Sequence, residues 1–116
     1  MNKLYYTTQE KVSAYETTMP LLEAMYSEFK ELSKKKPDAA VSKSKIKITN
    51  RLLERVRMAL ADSSSLEFLD LLDEDDIPQI SDVTLILSQY VASMEEFKKR
   101  HYGLYNGKYQ WVIRED

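Results

Sequence analysis

The spacing of hydrophobic residues along the chain is mainly that of α-helices. From residue 12 to residue 29, apolar side chains recur at alternating steps of three and four, which places them on one helical face. Thr7 and Glu10 form a capping-box pattern, so this helix is expected to begin near residue 8. Pro20 lies inside it and predicts a kink, because proline removes a backbone hydrogen bond, and Pro37 predicts its end. The face consists of Val12, Tyr15, Met19, Leu22, Tyr26 and Phe29, and a second apolar line that widens the predicted buried face consists of Leu21, Met25 and Leu32.

Residues 42–61 predict a second helix, and it has the clearest separation of an apolar face from a charged face in the chain. Asp38, Ser42 or Ser44 could cap its start. Val41 lies on the same helical face as the apolar arc, which favours the earliest start, with Asp38 as the cap. The apolar arc holds Ile46, Ile48, Leu52, Leu53, Val56, Ala59 and Leu60. The opposite side carries Lys43, Lys47, Arg51, Arg55 and Arg57, with Glu54 as the single acid among them.

Two further helices are predicted after the polar break at residues 62–65. Ser64 and Glu67 form a second capping-box pattern, which predicts a short helix that turns leucines inward. Ser81 is the expected cap of a last long helix that ends at His101 or Tyr102. Its apolar arc consists of Val83, Ile86, Leu87, Tyr90, Val91, Met94 and Phe97.

The C-terminal stretch carries the signal of a β-hairpin. Asn106 and Gly107 stand between two apolar-rich flanks, a pattern typical of a two-residue type I′ turn. A lone hairpin is marginal in water, so we expect it to pack on a helix or to be joined by the N-terminal residues 4–6. The sequence therefore predicts one domain, residues 1–116. It is an all-α, mainly helical bundle of about four helices, with the first helix kinked at Pro20 and a short C-terminal hairpin.

Composition narrows the class of protein. The chain has 116 residues, 43% of them hydrophobic and 31% charged, which is a globular composition. It contains no cysteine, which excludes disulfides and thiolate chemistry and fits a reducing compartment. Because no apolar stretch is long enough to span a bilayer, we expect a cytoplasmic protein without a membrane partner.

The charges are divided between two parts of the chain. Residues 30–57 hold ten basic and three acidic side chains, whereas residues 62–82 hold eight acidic side chains and no basic one. The acidic part could fold back over the basic face of the second helix, both parts could simply be solvated, or one of them could meet a partner. The candidate partner surfaces are the basic face (Lys43, Lys47, Arg51, Arg55 and Arg57) and the acidic run Asp73, Glu74, Asp75 and Asp76.

The sequence argues against a catalytic site. Four adjacent acids on a turn point in different directions and do not converge on metal ions as two-metal sites require. His101 is the only histidine, so two-histidine metal sites lack a ligand, and the two glycines are not spaced to cradle a phosphate. We therefore expect no enzyme activity, no metal, no cofactor and no small-molecule substrate.

Exposed apolar residues complete the sequence-based interpretation. Met58 lies among the basic residues of the second helix, and Leu85 lies opposite the buried arc of the last helix, so both are candidate interface residues. The function expected is a non-enzymatic interaction module, a small subunit, adaptor or regulator that assembles with itself or with a larger protein complex. The alternative is a nucleic-acid-binding accessory protein that uses the basic face of residues 42–61.

Overall fold

The computed structural model of the protein describes residues 3–115 and is mostly helical. Three α-helices are followed by a two-stranded antiparallel hairpin: α1 Gln9–Lys35, α2 Lys43–Ala59, α3 Ile80–His101, β1 Tyr102–Tyr105 and β2 Lys108–Trp111. α1 packs against both α2 and α3, and the buried core lies between the three helices. The helical character and the hairpin predicted from the sequence are confirmed.

The described residues contain three α-helices rather than about four. The stretch predicted as a short α-helix is a five-residue 3-10 segment, Ser64–Phe68. Its cap is Ser63, whose hydroxyl accepts a hydrogen bond from the Ser65 amide at 3.2 Å. The Leu69 amide still bonds to the Leu66 carbonyl of the 3-10 segment. Beyond that bond the chain leaves the helical path, because the Leu69 and Asp70 carbonyls and both backbone groups of Leu72 bond to side chains of α2 and α3.

α1 is a single helix of 27 residues that continues through Pro20. Its cap is Thr8, one residue later than predicted, and the Thr8 hydroxyl accepts from the Lys11 amide at 3.3 Å. The predicted stripe faces the core, with Val12, Leu22 and Phe29 among its buried members. A kink at Pro20 stays a prediction.

α2 begins later than the phase of Val41 suggested. Ser42 caps it, and the preceding residues are extended because they pair with the chain before α3. The Val41 amide donates to the Pro78 carbonyl at 3.0 Å, and Ala40 forms an antiparallel bridge with Gln79. These bonds tie the start of α2 to the start of α3.

The hairpin and the N-terminal segment close one end of the bundle. Asn106 and Gly107 both have positive φ, 52° and 85°, as a type I′ turn requires. The Thr7 amide donates to the Val112 carbonyl at 3.0 Å, so the N-terminal segment joins the chain that follows β2. Trp111 packs its ring against Tyr15, with ring centres 5.2 Å apart. The N-terminal segment therefore meets the chain near its C-terminal end, but it does so at Thr7 and not by adding residues 4–6 to the hairpin as a third strand.

Within residues 3–115, no helix combines the length and the apolar character needed to cross a membrane.

Candidate functional site

An apolar groove lies between α1 and α2 on the outside of the bundle. Leu21 of α1 and Ile48 of α2 line it with 57% and 52% of their surface exposed. Its floor is completed by the partly buried Met25, Leu32 and Leu52. The groove has a volume of about 580 Å3, within the usual range of ligand-sized pockets.

The groove exists because the apolar arcs of both helices are wider than the contact between them. Leu22 and Phe29 of α1 and Leu53 of α2 are buried in the core. The second apolar line predicted to widen the buried face of α1 lies instead beside this core, on the groove. The expectation that Leu21 is buried is therefore wrong, and the same holds for Ile48 in the apolar arc of α2.

The rim of the groove is mainly cationic. Lys45, Arg51 and Arg55 of α2 line it and are exposed, and Glu28 of α1 is the acidic residue among the lining side chains. Their charged groups stand beside apolar surface, where a partner would shield them from water and strengthen their attraction for anions. The groove therefore combines apolar surface with a net positive edge.

Most of the predicted basic face of α2 is free of acidic partners. Lys43, Lys47, Arg51 and Arg55 are exposed. The ion pairs found within residues 3–115 join Lys11 to Asp62 and Lys34 to Glu31, and neither involves α2. The basic face and the groove overlap at Arg51 and Arg55.

Arg57, the fifth predicted member of the basic face, is half-buried and bonds to other parts of the chain, and a role in partner binding stays a prediction for it. Its guanidinium donates to the Leu69 carbonyl and lies 3.5 Å from the Tyr90 hydroxyl. The Tyr90 hydroxyl in turn donates to the Asp70 carbonyl at 3.0 Å, and burial raises the pKa of Tyr90. Arg57 therefore holds the extended chain after Phe68 against α2 and α3.

Residues 68–77, called the acidic segment below, do not cover the basic face. Asn50 of α2 bonds to both the amide and the carbonyl of Leu72, at 2.8 Å each, which fixes the segment on the flank of α2 that faces α3. One of the acids has a local role, since Asp73 accepts from the Asp75 amide at 2.8 Å. The carboxylates of the predicted acidic surface are all exposed: Asp73, Glu74, Asp75 and Asp76.

Comparison with models of known protein families, with curated proteins and with solved structures found no match.

The predicted interface residues Met58 and Leu85 are both exposed, but neither lines the groove. The sulfur of Met58 accepts from the guanidinium of Arg55 at 3.3 Å, so this side chain helps to position one residue of the rim. Leu85, with 61% of its surface exposed, stands on α3. A role for either residue in an interface stays a prediction.

A second, more polar cleft of about 1010 Å3 lies where the chain ends meet. Its charged side chains largely have partners inside the protein: Lys11 pairs with Asp62, and the guanidinium of Arg100 lies 4.4 Å from the centre of the Tyr5 ring. Within the part of the chain that the structure describes, no three side chains of metal-binding type are grouped. The cleft is therefore a weaker candidate than the groove.

His101 borders this cleft and gives the protein a predicted pH dependence. Its Nδ1 lies 2.7 Å from the Tyr5 carbonyl, which can only accept, so Nδ1 carries the proton. Burial lowers the pKa of His101, against a smaller opposite effect of that hydrogen bond, and the charges of Arg100 and Lys11 lower it further. Below pH 6.5, the unfolded chain therefore binds a proton more readily than the folded one.

The free energy of unfolding is expected to fall as the pH is lowered below the unfolded pKa of about 6.5 towards the depressed pKa of His101, and the contribution of His101 is present in full well above pH 6.5. Urea unfolding at a series of pH values measures it, and His101→Gln should flatten the profile because this is the only histidine. A profile with the same slope in both proteins would refute this assignment.

Proposed function

We propose that the protein is a non-enzymatic interaction module whose α1/α2 groove binds an amphipathic, acidic segment of a protein partner. The observation that carries this proposal is the pair of exposed side chains, Leu21 and Ile48, facing each other across a groove with a cationic rim. An amphipathic helix laid into an apolar groove is a recurring mode of peptide recognition.

The two parts of the groove have different roles in this proposal. Burial of a leucine or isoleucine side chain contributes about 1.5–3 kcal/mol, so the apolar floor supplies most of the affinity. The cations Lys45, Arg51 and Arg55 favour acidic over basic partners and accelerate the encounter. A partner segment with apolar residues on one face and carboxylates along its edges meets both requirements.

Ile48→Asp is expected to weaken the binding of such a segment at least about tenfold, because it places a carboxylate in the apolar floor and loses more than about 1.4 kcal/mol. The probe is a fluorescent 16-residue peptide with leucines at helical a and d spacing and glutamates elsewhere, measured by anisotropy. The matched control is Leu85→Asp, since Leu85 is at least as exposed as Ile48 but lies outside the groove.

Equal affinities of the Ile48 and Leu85 variants would reject the groove as the binding surface. A lysine version of the peptide separates charge from apolar burial, because it keeps the leucines and reverses the sign. It should bind more weakly than the glutamate version to the wild-type protein.

A second candidate function is binding to nucleic acid. The observation in its favour is that Lys43, Lys47, Arg51 and Arg55 are exposed along α2, and the described part of the chain holds no acidic partner for them. Neutralisation of phosphates by such residues would make the affinity fall steeply with salt.

A salt titration of single-stranded and duplex DNA separates this function from the first. If nucleic acid is the ligand, Arg51→Glu with Arg55→Glu should abolish the salt slope, whereas Ile48→Ser, which removes apolar surface without adding a charge, should leave the binding of DNA nearly unchanged. Absence of binding at low salt, about 50 mM, rejects the second candidate, because phosphate contacts are strongest there.

A further inference from the structure

We infer that the groove is occupied by the acidic segment of a second copy of this chain. The inference rests on the proposed function and names its partner. The segment offers the chemistry that matches the groove: large apolar side chains that stay exposed in its own copy, surrounded by carboxylates.

The acidic segment exposes apolar residues at both ends and in its middle. Phe68 has 68% of its surface exposed, and Leu71 and Ile77 are also exposed. Between them stand five exposed acids: Asp70, Asp73, Glu74, Asp75 and Asp76. Large apolar side chains beside a run of acids match an apolar groove with a cationic rim.

The first half of the segment is held in place by side chains of α2 and α3, which favours its use as a ligand. Its backbone is bonded at three points within residues 69–72: Arg57 to the Leu69 carbonyl, Tyr90 to the Asp70 carbonyl and Asn50 to Leu72. A segment that is already ordered loses less conformational entropy when it binds.

The segment cannot reach the groove of its own chain. Asn50 and Arg57 hold it on one flank of α2, whereas Ile48 and Arg55 line the groove on the other flank. At 3.6 residues per turn, these two pairs of positions point about 160° apart around the helix axis. The groove can therefore receive this segment only from another molecule.

The charges also decide how two copies meet. A contact of groove with groove would oppose the cations Arg51 and Arg55 of both copies, and a contact of two acidic segments would oppose their carboxylates. Like charges across an interface are costly, so the favoured contact places the segment of one copy in the groove of the other. A two-fold dimer contains this contact twice, so each contact needs to supply only about half of the roughly 1,600 Å2 of a standard interface.

The test is sedimentation velocity with two complementary variants. The groove variant is Ile48→Asp with Arg55→Glu, and the segment variant is Phe68→Ser with Asp75→Lys. All four positions are exposed, and thermal melting checks that both variants fold. As the concentration is raised, the apparent mass of the wild-type protein and of the Leu85→Asp control should increase above the 13.6 kDa of one chain. Each variant alone should remain a monomer.

The mixture of the two variants gives the decisive result. One intact groove then meets one intact segment, so an equimolar mixture keeps one of the two contacts of the wild-type dimer. It should form a 1:1 complex that is weaker than the wild-type dimer, although neither variant associates alone. A free peptide of residues 64–79 should occupy the intact groove and dissociate this complex. The same peptide should dissociate the wild-type dimer, a measurement that does not depend on the fold of the segment variant.

A wild-type chain that stays monomeric at every concentration, or a mixture that fails to associate, overturns the inference. If the leucine–glutamate peptide still binds the groove in that case, the proposed function stands with a different partner. If that peptide also binds the Ile48→Asp variant without loss, both proposals fail.

Discussion

Removal of residues 104–116 is expected to lower the melting temperature by at least about 10 °C, since a loss of about 3 kcal/mol shifts a domain of this size by that amount. The deletion removes Val112, which is buried, and Trp111, which packs against the rings of Tyr15 and Phe97. Burial of one such side chain contributes about 1.5–3 kcal/mol. It also removes the Val112 carbonyl that accepts from Thr7.

Two point variants serve as controls for the deletion. Trp111→Ala should account for much of the loss, whereas Tyr109→Ala should change the melting temperature little, because Tyr109 has 71% of its surface exposed. Thermal unfolding followed by circular dichroism measures all three proteins. A deletion protein that melts with the wild type would contradict the conclusion that the joined chain ends stabilise the bundle.

Arg57→Met is expected to lower the free energy of unfolding by about 2–3 kcal/mol, because it leaves the buried Leu69 carbonyl without its charged donor. The matched control is Arg55→Met, which should stay within about 0.5 kcal/mol as an exposed surface change. Tyr90→Phe should fall between them, since it removes one hydrogen bond to the Asp70 carbonyl, a loss of about 1 kcal/mol.

Urea denaturation of the three variants separates the two roles of the basic residues. If Arg57 and Arg55 prove equally dispensable for stability, the structural role assigned to Arg57 is wrong.

The sequence predicted the helices well because their periodicity depends on local geometry. The stripe that includes Val12, Leu22 and Phe29 lies in the core, and Asn106 with Gly107 forms the predicted turn. The start of α2 was harder to predict, because residues 39–41 are drawn into extended pairing by a distant stretch around Pro78. The helical spacing of Val41 alone could not show that pairing with this distant stretch competes with helix formation.

The groove could not be predicted from the sequence for a geometric reason. Periodicity gives the width of each apolar arc but not how much of it a neighbouring helix covers. The signal was present in the second line of Leu21, Met25 and Leu32, which made the arc of α1 wider than one helix contact needs. Only the packing of α1 on α2 shows that this surplus remains on the surface.

Arg57 illustrates the same limit for charged residues. Its helical position groups it with the other cations of α2, and the sequence gives no hint that the Leu69 and Asp70 carbonyls approach this flank. Those carbonyls are available because the predicted short helix ends early as a 3-10 segment. A long-range contact thus gives Arg57, one of the five residues of the predicted basic face, a role in holding the chain after Phe68.

The proposed function and the proposed dimer both require that the groove, and not another surface, receives an acidic amphipathic segment. Amide chemical-shift mapping with the leucine–glutamate peptide locates the surface that binds it. Shifts are expected along both sides of the groove, around Leu21 and Leu32 of α1 and around Ile48 and Leu52 of α2, with little change near Leu85. Shifts confined to α3 or to the cleft beside His101, with the groove unchanged, would contradict this requirement.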